Sequence, residues 1–264
     1  MQAPPVEQQV GIDAAILGDG RHRGARHQAA LDQFKLQNYP MAVSAMQGFL
    51  VTYPSSKLAP NAQYWVGMAY SGQRDYKQAI AAQRKLLATW PESDKAPDAM
   101  LSIASAQETM GDRKGAQIQL KNALAKDPNN GAARYQLAKL SLQLNDAVSA
   151  EKEARRAVEL KYKTAESELL LAEALLRLGE FQKMLDESAK FQSSPALMAL
   201  RGDALIGLRK LDEAKKEYQG ALEAQPDSAD ALTGMARLAA IGNDLEGARA
   251  LAEQAIAKDG SNIA

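Results

Sequence analysis

The stretch PALMALRGDALIGLRKLDEAKKEYQGALEAQP, residues 195–226, holds the pattern from which most of the chain is built. Leu197, Leu200, Ala204, Leu205 and Leu208 recur at the spacing of one face of an α-helix. Arg209-Lys210 breaks that series, and Leu211, Ala214, Tyr218, Ala221 and Leu222 start a second one. Pro226-Asp227-Ser228 then ends it. Proline has no amide hydrogen to continue a helix, and an Asp or Ser oxygen can accept from the free amides opening the next one. The stretch therefore predicts two antiparallel helices joined by a tight turn.

Outward from it the unit repeats. The Ala that opens the second helix recurs as Ala42, Ala79, Ala116, Ala150, Met184, Ala214 and Ala248, at intervals of 37, 37, 34, 34, 30 and 34 residues. Pro54, Pro91 and Pro128 close the early units as Pro226 closes the sixth. Small residues stand where the two helices of a unit must cross: Gly67 and Ala79, Ala104 and Ala116, Ala138 and Ala150, Gly202 and Ala214. One hairpin cannot bury its apolar face alone, so neighbours must stack to form a core. The expected fold is all-α, a solenoid of about seven helix-turn-helix hairpins.

The composition agrees. Hydrophobic residues make up 46% of the 264, but aromatics only 5%, so alanine and leucine dominate, both strong helix formers. Lys plus Arg and Asp plus Glu each number 32, and no basic excess exists to replace the counterions of a nucleic acid. No run reaches the roughly 20 apolar residues that span a bilayer. The absence of cysteine excludes disulfides, thiolate metal sites and cysteine nucleophiles. No signal peptide is recognisable, yet Met1 before Gln-Ala-Pro-Pro-Val reads as a start placed ahead of a processed terminus.

The pattern resembles the tetratricopeptide repeat family over about residues 25–260, and the resemblance implies that the solenoid is a right-handed superhelix. Tyr64-Trp65-Val66-Gly67-Met68-Ala69-Tyr70 matches the first-helix signature, and Ala214, Tyr218, Ala221 and Pro226 match the second. The fifth repeat departs from it, with Met184 and Ser188 in its second helix and no closing proline. Within residues 28–128, Asn38-Tyr39-Pro40, Tyr53-Pro54-Ser55-Ser56, Ala62–Gly67 and Lys95–Met100 are similar to the YbgF-type periplasmic proteins of the Tol-Pal system. That resemblance implies a periplasmic location, binding to TolA and coordination of cell division with the envelope. The trimerising coiled coil of that family has no counterpart in Val6–Arg26, which lacks sustained heptads. From residue 132 to 260, Ala204-Leu-Ile-Gly-Leu and Ala231–Ala239 resemble repeat proteins of exosortase-linked exopolysaccharide systems.

The interval shortens near Asp127–Arg134, where one likeness gives way to the other. Three segments are expected: a flexible N-terminal stretch (1–26), repeats one to three (27–128) and repeats four to seven (129–264). A fusion of two arrays, a structural or engineered superhelix with no native ligand, is the alternative to an interaction scaffold.

The resemblance places first helices on a concave surface that holds peptides. Carried over repeat by repeat, the groove positions are Tyr64, Met68, Leu101, Ser105, Tyr135, Lys139, Leu142, Leu169, Glu173, Leu176, Arg177, Asp203 and Arg237. Apolar anchors interleaved with single charges suit a peptide or protein segment. The competing reading makes some of these residues core between repeats. No Lys/Asn/Arg clamp recurs on adjacent first helices, so capture of an acidic C-terminal peptide is not favoured. Arg21–His27 is the one basic cluster and contains both histidines, too few for a metal site, and is expected to be solvated. Asp127-Pro-Asn-Asn-Gly131 lacks the alternating ligands of a calcium loop and reads as a turn. No phosphate-binding loop or nucleophile elbow occurs, so neither catalysis nor a cofactor is expected. Ala239, Ile241 and Leu245 are expected to leave an apolar end face that could pack on a second copy.

Overall fold

The computed structural model describes residues 22–258. Every regular element among them is an α-helix, and the chain divides into two compact units, residues 1–130 and 131–264. The first unit contains α1 (residues 22–35), α2 (Tyr39–Thr52), α3 (Ala59–Gly72), α4 (Tyr76–Thr89), α5 (Ala96–Thr109) and α6 (Arg113–Lys126). The second contains α7 (Gly131–Gln143), α8 (Ala147–Glu159), α9 (Thr164–Arg177) and α10 (Phe181–Ser188). It continues with α11 (Pro195–Gly207), α12 (Leu211–Ala224), α13 (Ala229–Ile241) and α14 (Leu245–Lys258). Odd and even helices pair as hairpins, and within each unit successive hairpins stack, as the repeat predicts.

Each hairpin turns through one residue in the left-handed region: Gln37, Arg74, Gly111, Asn145, Gly179, Arg209 and Asn243, with φ between 58° and 85°. The next residue opens the second helix, and Asp75, Asp112, Asp146 and Asp244 each accept a backbone N–H three residues on. The changing repeat interval follows from shorter segments between hairpins together with helices one residue shorter. Six residues, 53–58 and 90–95, join the early hairpins, whereas four, 127–130, 160–163 and 225–228, join later ones. The shortest interval, 30, arises because α10 stops after 8 residues where other second helices run 13 or 14.

The core is a row of alanines and leucines with a few large side chains filling the gaps they leave. Tyr218 of α12 is the largest of these and is fully buried. Its ring lies against Gly202 of α11 and Gly234 of α13, where an added Cβ would come within 2.5 Å and 2.2 Å of it. Gln83 occupies the corresponding slot against Gly67, and its Nε2 donates to the Tyr64 carbonyl and the Ser102 hydroxyl. In the fifth repeat the slot holds only Ser188, and Arg201 of α11 fills the space, its Nε donating to Ser188 Oγ at 3.0 Å.

One expectation is corrected at the N-terminal end. Residues 22–26, read as part of a flexible segment, are the first turn of α1. His27, expected to be solvated, is 7% exposed and packs edge-on to Phe49 at 5.6 Å. The cause is the apolar period of α1, which points Ala30, Leu31 and Phe34 into the core and carries His27 in with them. Residues 1–21, including Arg21, lie outside the described part.

Candidate functional site

In the second unit α9, α11 and α13 lie side by side, each being the first helix of its hairpin. Between them opens a cavity of about 460 Å³, within the range of ligand pockets, roughly 300–1,000 Å³. Its apolar wall is Leu169, Leu170 and Leu176 from α9, with Ala196, Ala199 and Leu200 from α11. Its polar groups are Glu173, Arg177, Asp203, Asp230, Thr233 and Arg237. Six of the thirteen groove positions read from the sequence meet here: Leu169, Glu173, Leu176, Arg177, Asp203 and Arg237.

The charges are ordered by pairing. Arg177 Nη2 meets Glu173 Oε1 at 2.6 Å, while its Nη1 donates to the Leu142 carbonyl at 2.7 Å. Arg237 Nη2 meets Asp203 Oδ1 at 2.9 Å. The same oxygen accepts the Tyr218 hydroxyl at 2.6 Å, which arrives through the gap left by the two glycines. Burial, and then the Asp203 carboxylate, push the Tyr218 phenol far above its usual pKa, so it keeps its proton and donates the hydrogen bond to Asp203. Asp203 is thus held from behind by a core residue and from the front by Arg237.

Three other expected positions of this unit fall on α7. Tyr135 is half-buried, with the Lys163 ammonium 4.9 Å from its ring centroid and Tyr162 6.0 Å away. Lys139 is exposed. Leu142 is a correction: it is 4% exposed and clusters with Ala150, Ala174 and Leu170. It belongs to the core because small residues let its neighbours close on it.

In the first unit Tyr64 and Met68 stand on α3, Leu101 and Ser105 on the adjacent α5. The first three are half-buried and Ser105 is exposed. Lys95 lies 5.1 Å from the Tyr64 ring centroid and pairs with Asp98 at 2.8 Å. Burial, followed by the Asp98 charge, raises the Tyr64 pKa. A cavity of about 490 Å³ in this unit lies elsewhere, between α2 and α4 over α3, lined by Leu50, Val51, Tyr70 and Lys85 among others. The sequence reading did not single it out.

Within the second cavity the sequence reading also missed Leu170, Leu200, Asp230 and Thr233. Their signal is helical period: one turn before Asp203 lies Leu200, and one and two turns before Arg237 lie Thr233 and Asp230. Among the described residues no group of three or more His, Asp or Glu could hold a metal ion. No helix among them is long and apolar enough to cross a membrane.

An array of helical hairpins with a cleft between successive first helices defines a helical-repeat protein. The tetratricopeptide repeat profiles match residues 27–94, 109–174 and 200–263, and the chain belongs to the tetratricopeptide repeat family. Its fold is similar to the C-terminal part of a tetratricopeptide repeat protein from Cytophaga hutchinsonii, with a TM-score of 0.65 and 15% identity. That match covers 90% of this chain and 96% of the other. PilF of Pseudomonas aeruginosa matches with a TM-score of 0.61 and 18% identity, over 83% of this chain and 99% of PilF. YrrB, described as having an unusual peptide-binding site, matches with a TM-score of 0.50 and 18% identity, over 80% of this chain and 92% of YrrB. At such identities these likenesses show the fold alone. No curated protein matches the chain in sequence. Tetratricopeptide repeat proteins generally mediate protein–protein interactions.

Proposed function

We propose that this protein is an interaction scaffold that binds a peptide or protein segment in the cleft between α9, α11 and α13. The observation that carries this reading is the cleft itself: α9 and α11 supply an open apolar wall of leucines and alanines, and α9, α11 and α13 border it with paired charges. Apolar wall and fixed polar rim together are what a segment needs to bury an anchor side chain and set its register. Membership of a family that mediates protein–protein contacts supports the reading. So does the peptide-binding site ascribed to YrrB, a protein of similar fold.

The test is selection of a displayed peptide library on the whole chain and on Thr233→Trp. Thr233 is exposed at the cleft, so the indole plugs it without entering the core. Enrichment by the native chain that the variant loses supports the reading. Equal enrichment by both would place binding elsewhere.

The partner and compartment are a finer proposal. The likeness of residues 28–128 to YbgF-type proteins motivates TolA as partner, a Tol-Pal-linked role in cell division and a periplasmic location. A pull-down of purified TolA by the whole chain tests it, and failure to associate removes the Tol-linked role while leaving the cleft reading intact. Self-association is proposed through α13 and α14, where Ile241 and Leu245 are 52% and 67% exposed. A monomer mass by light scattering at all concentrations would count against it.

A further inference from the structure

We infer that the α9–α11–α13 cleft selects segments in which an aliphatic side chain is accompanied by a lysine or arginine, not acidic segments or free C-terminal carboxylates. The inference rests on the cleft reading above and concerns what the cleft accepts.

It follows from how the charges are committed. The cleft presents three carboxylates, Glu173, Asp203 and Asp230, against two guanidinium groups, Arg177 and Arg237. Both guanidinium groups are already engaged, Arg177 with Glu173 and the Leu142 carbonyl, Arg237 with Asp203. An incoming carboxylate that reaches the remaining N–H donors of either arginine comes to lie beside Glu173 or Asp203, and that repulsion is relieved only by displacing the chain's own carboxylate from its partner. The exchange returns little free energy, and for Asp203 it also disturbs a hydrogen bond anchored in the core by Tyr218.

Asp230 is different. It is exposed at the cleft, in the first turn of α13, and no lysine or arginine among the described residues pairs with it. It is the carboxylate left over when the cleft's internal pairs are formed. A cation brought by a ligand finds an unspent partner there and displaces nothing. The same cavity is lined by Leu200 of α11 and Leu169 of α9, which are apolar and half-buried and suit the aliphatic neighbour. Charge complementarity at an open cleft acts mostly on selectivity, because wrong-sign ligands are repelled.

The experiment uses the whole chain. Peptides enriched on it are sequenced, and one is synthesised in two forms, with its lysine or arginine and with norleucine there, which keeps the aliphatic stem without the charge. Binding of both is measured by fluorescence polarisation to the native chain, to Asp230→Asn and to Thr233→Trp. The native chain is expected to enrich aliphatic-plus-basic sequences and to prefer the cationic form by about two- to fivefold, the scale of an exposed ion pair. Asp230→Asn should erase that preference while still binding the norleucine form, and added salt should weaken the preference in the native chain. Enrichment of acidic sequences, or an unchanged cationic preference in Asp230→Asn, overturns the inference but leaves the cleft as the binding site. Binding that Thr233→Trp does not reduce overturns the cleft reading itself.

Discussion

Replacing Gly234 by alanine tests whether Tyr218 is the wedge on which the last repeats are built. A Cβ at Gly234 would stand 2.2 Å from Cε1 and 2.3 Å from Cζ of the Tyr218 ring. Carbon atoms in contact sit about 3.5–4.0 Å apart, so ring or helix must move by more than about an ångström. The ring has nowhere to go. Its other side lies against Gly202, and its hydroxyl is held by Asp203 at 2.6 Å. Overpacking of this kind costs about 1–3 kcal/mol, and a fully buried ring wedged between two backbones belongs at the upper end. Alanine returns about 1 kcal/mol through its better helix propensity, leaving a net loss of about 2 kcal/mol. In a Tyr218→Leu background the clash is gone, and the same substitution should be neutral or stabilising by up to about 1 kcal/mol. Urea unfolding followed by far-UV circular dichroism measures all four chains of the cycle, and amide exchange in α11–α13 localises the effect. An equal cost of Gly234→Ala in both backgrounds would refute the wedge, as would an unchanged stability in the native background.

Arg209 turns its hairpin at φ 60°, a conformation that costs a residue with a side chain about 1–2 kcal/mol relative to glycine. Arg209→Gly should therefore raise the unfolding free energy by about 1 kcal/mol, whereas Gly179→Ala at φ 75° should lower it, both read from urea unfolding. Arg155 joins α8 to the short α10 by pairing with both Glu151 and Glu187, at 2.6 Å and 2.8 Å. Arg155→Met should cost on the order of 1 kcal/mol, less at high salt, and an effect independent of salt in denaturant titrations would argue against the ion pairs. Burial lowers the pKa of His27, a hydrogen bond with Asn61 opposing in part, so the unfolded chain takes up its proton first. Stability should be complete above the ordinary imidazole pKa of about 6.5 and fall as pH drops below it. His27→Phe should flatten that part of the pH profile, measured by urea midpoints across it.

What was legible in the sequence was whatever local chemistry decides. The apolar period and the small residues at the crossings announce the hairpins, and at four of them an Asp, at 75, 112, 146 or 244, stands ready to cap the second helix. The cleft was half legible. Helical spacing marks which face of α9 points the same way as Glu173, but it cannot show whether the neighbouring repeat leaves that face open. Leu142 sits on such a face and is buried, because Arg177 of the next repeat reaches back to its carbonyl and Ala150 and Ala174 let the chain close around it. At Leu169 and Leu200 the neighbouring first helix contributes Ala196 and Ala199, or Asp230 and Thr233, to the cavity wall, and the face stays open. His27 was missed for the opposite reason. Its charged neighbours Arg23 and Arg26 dominate a composition reading, while the helical period that buries it becomes visible only once α1 is known to begin at residue 22.

Packing and recognition are joined at one residue in the second unit. The fold demands small residues where hairpin helices cross, and Gly202 and Gly234 meet that demand with more room than alanine would leave. The extra room admits a tyrosine from α12, and a tyrosine is long enough to carry a hydroxyl through to the cleft side, where it fixes Asp203 and, through it, Arg237. In the first unit the same slot behind Gly67 holds Gln83, whose amide nitrogen ends on the Tyr64 carbonyl and Ser102 within the packing. That glutamine fills the gap but sends no donor to a charged group on the first-helix face. The difference between the two slots is enough to give the α9–α11–α13 cleft a pre-set charge pattern. It makes Tyr218→Phe a cleaner probe of recognition than any substitution at the rim, since it removes one oxygen from the core and loosens the pair that the ligand would meet.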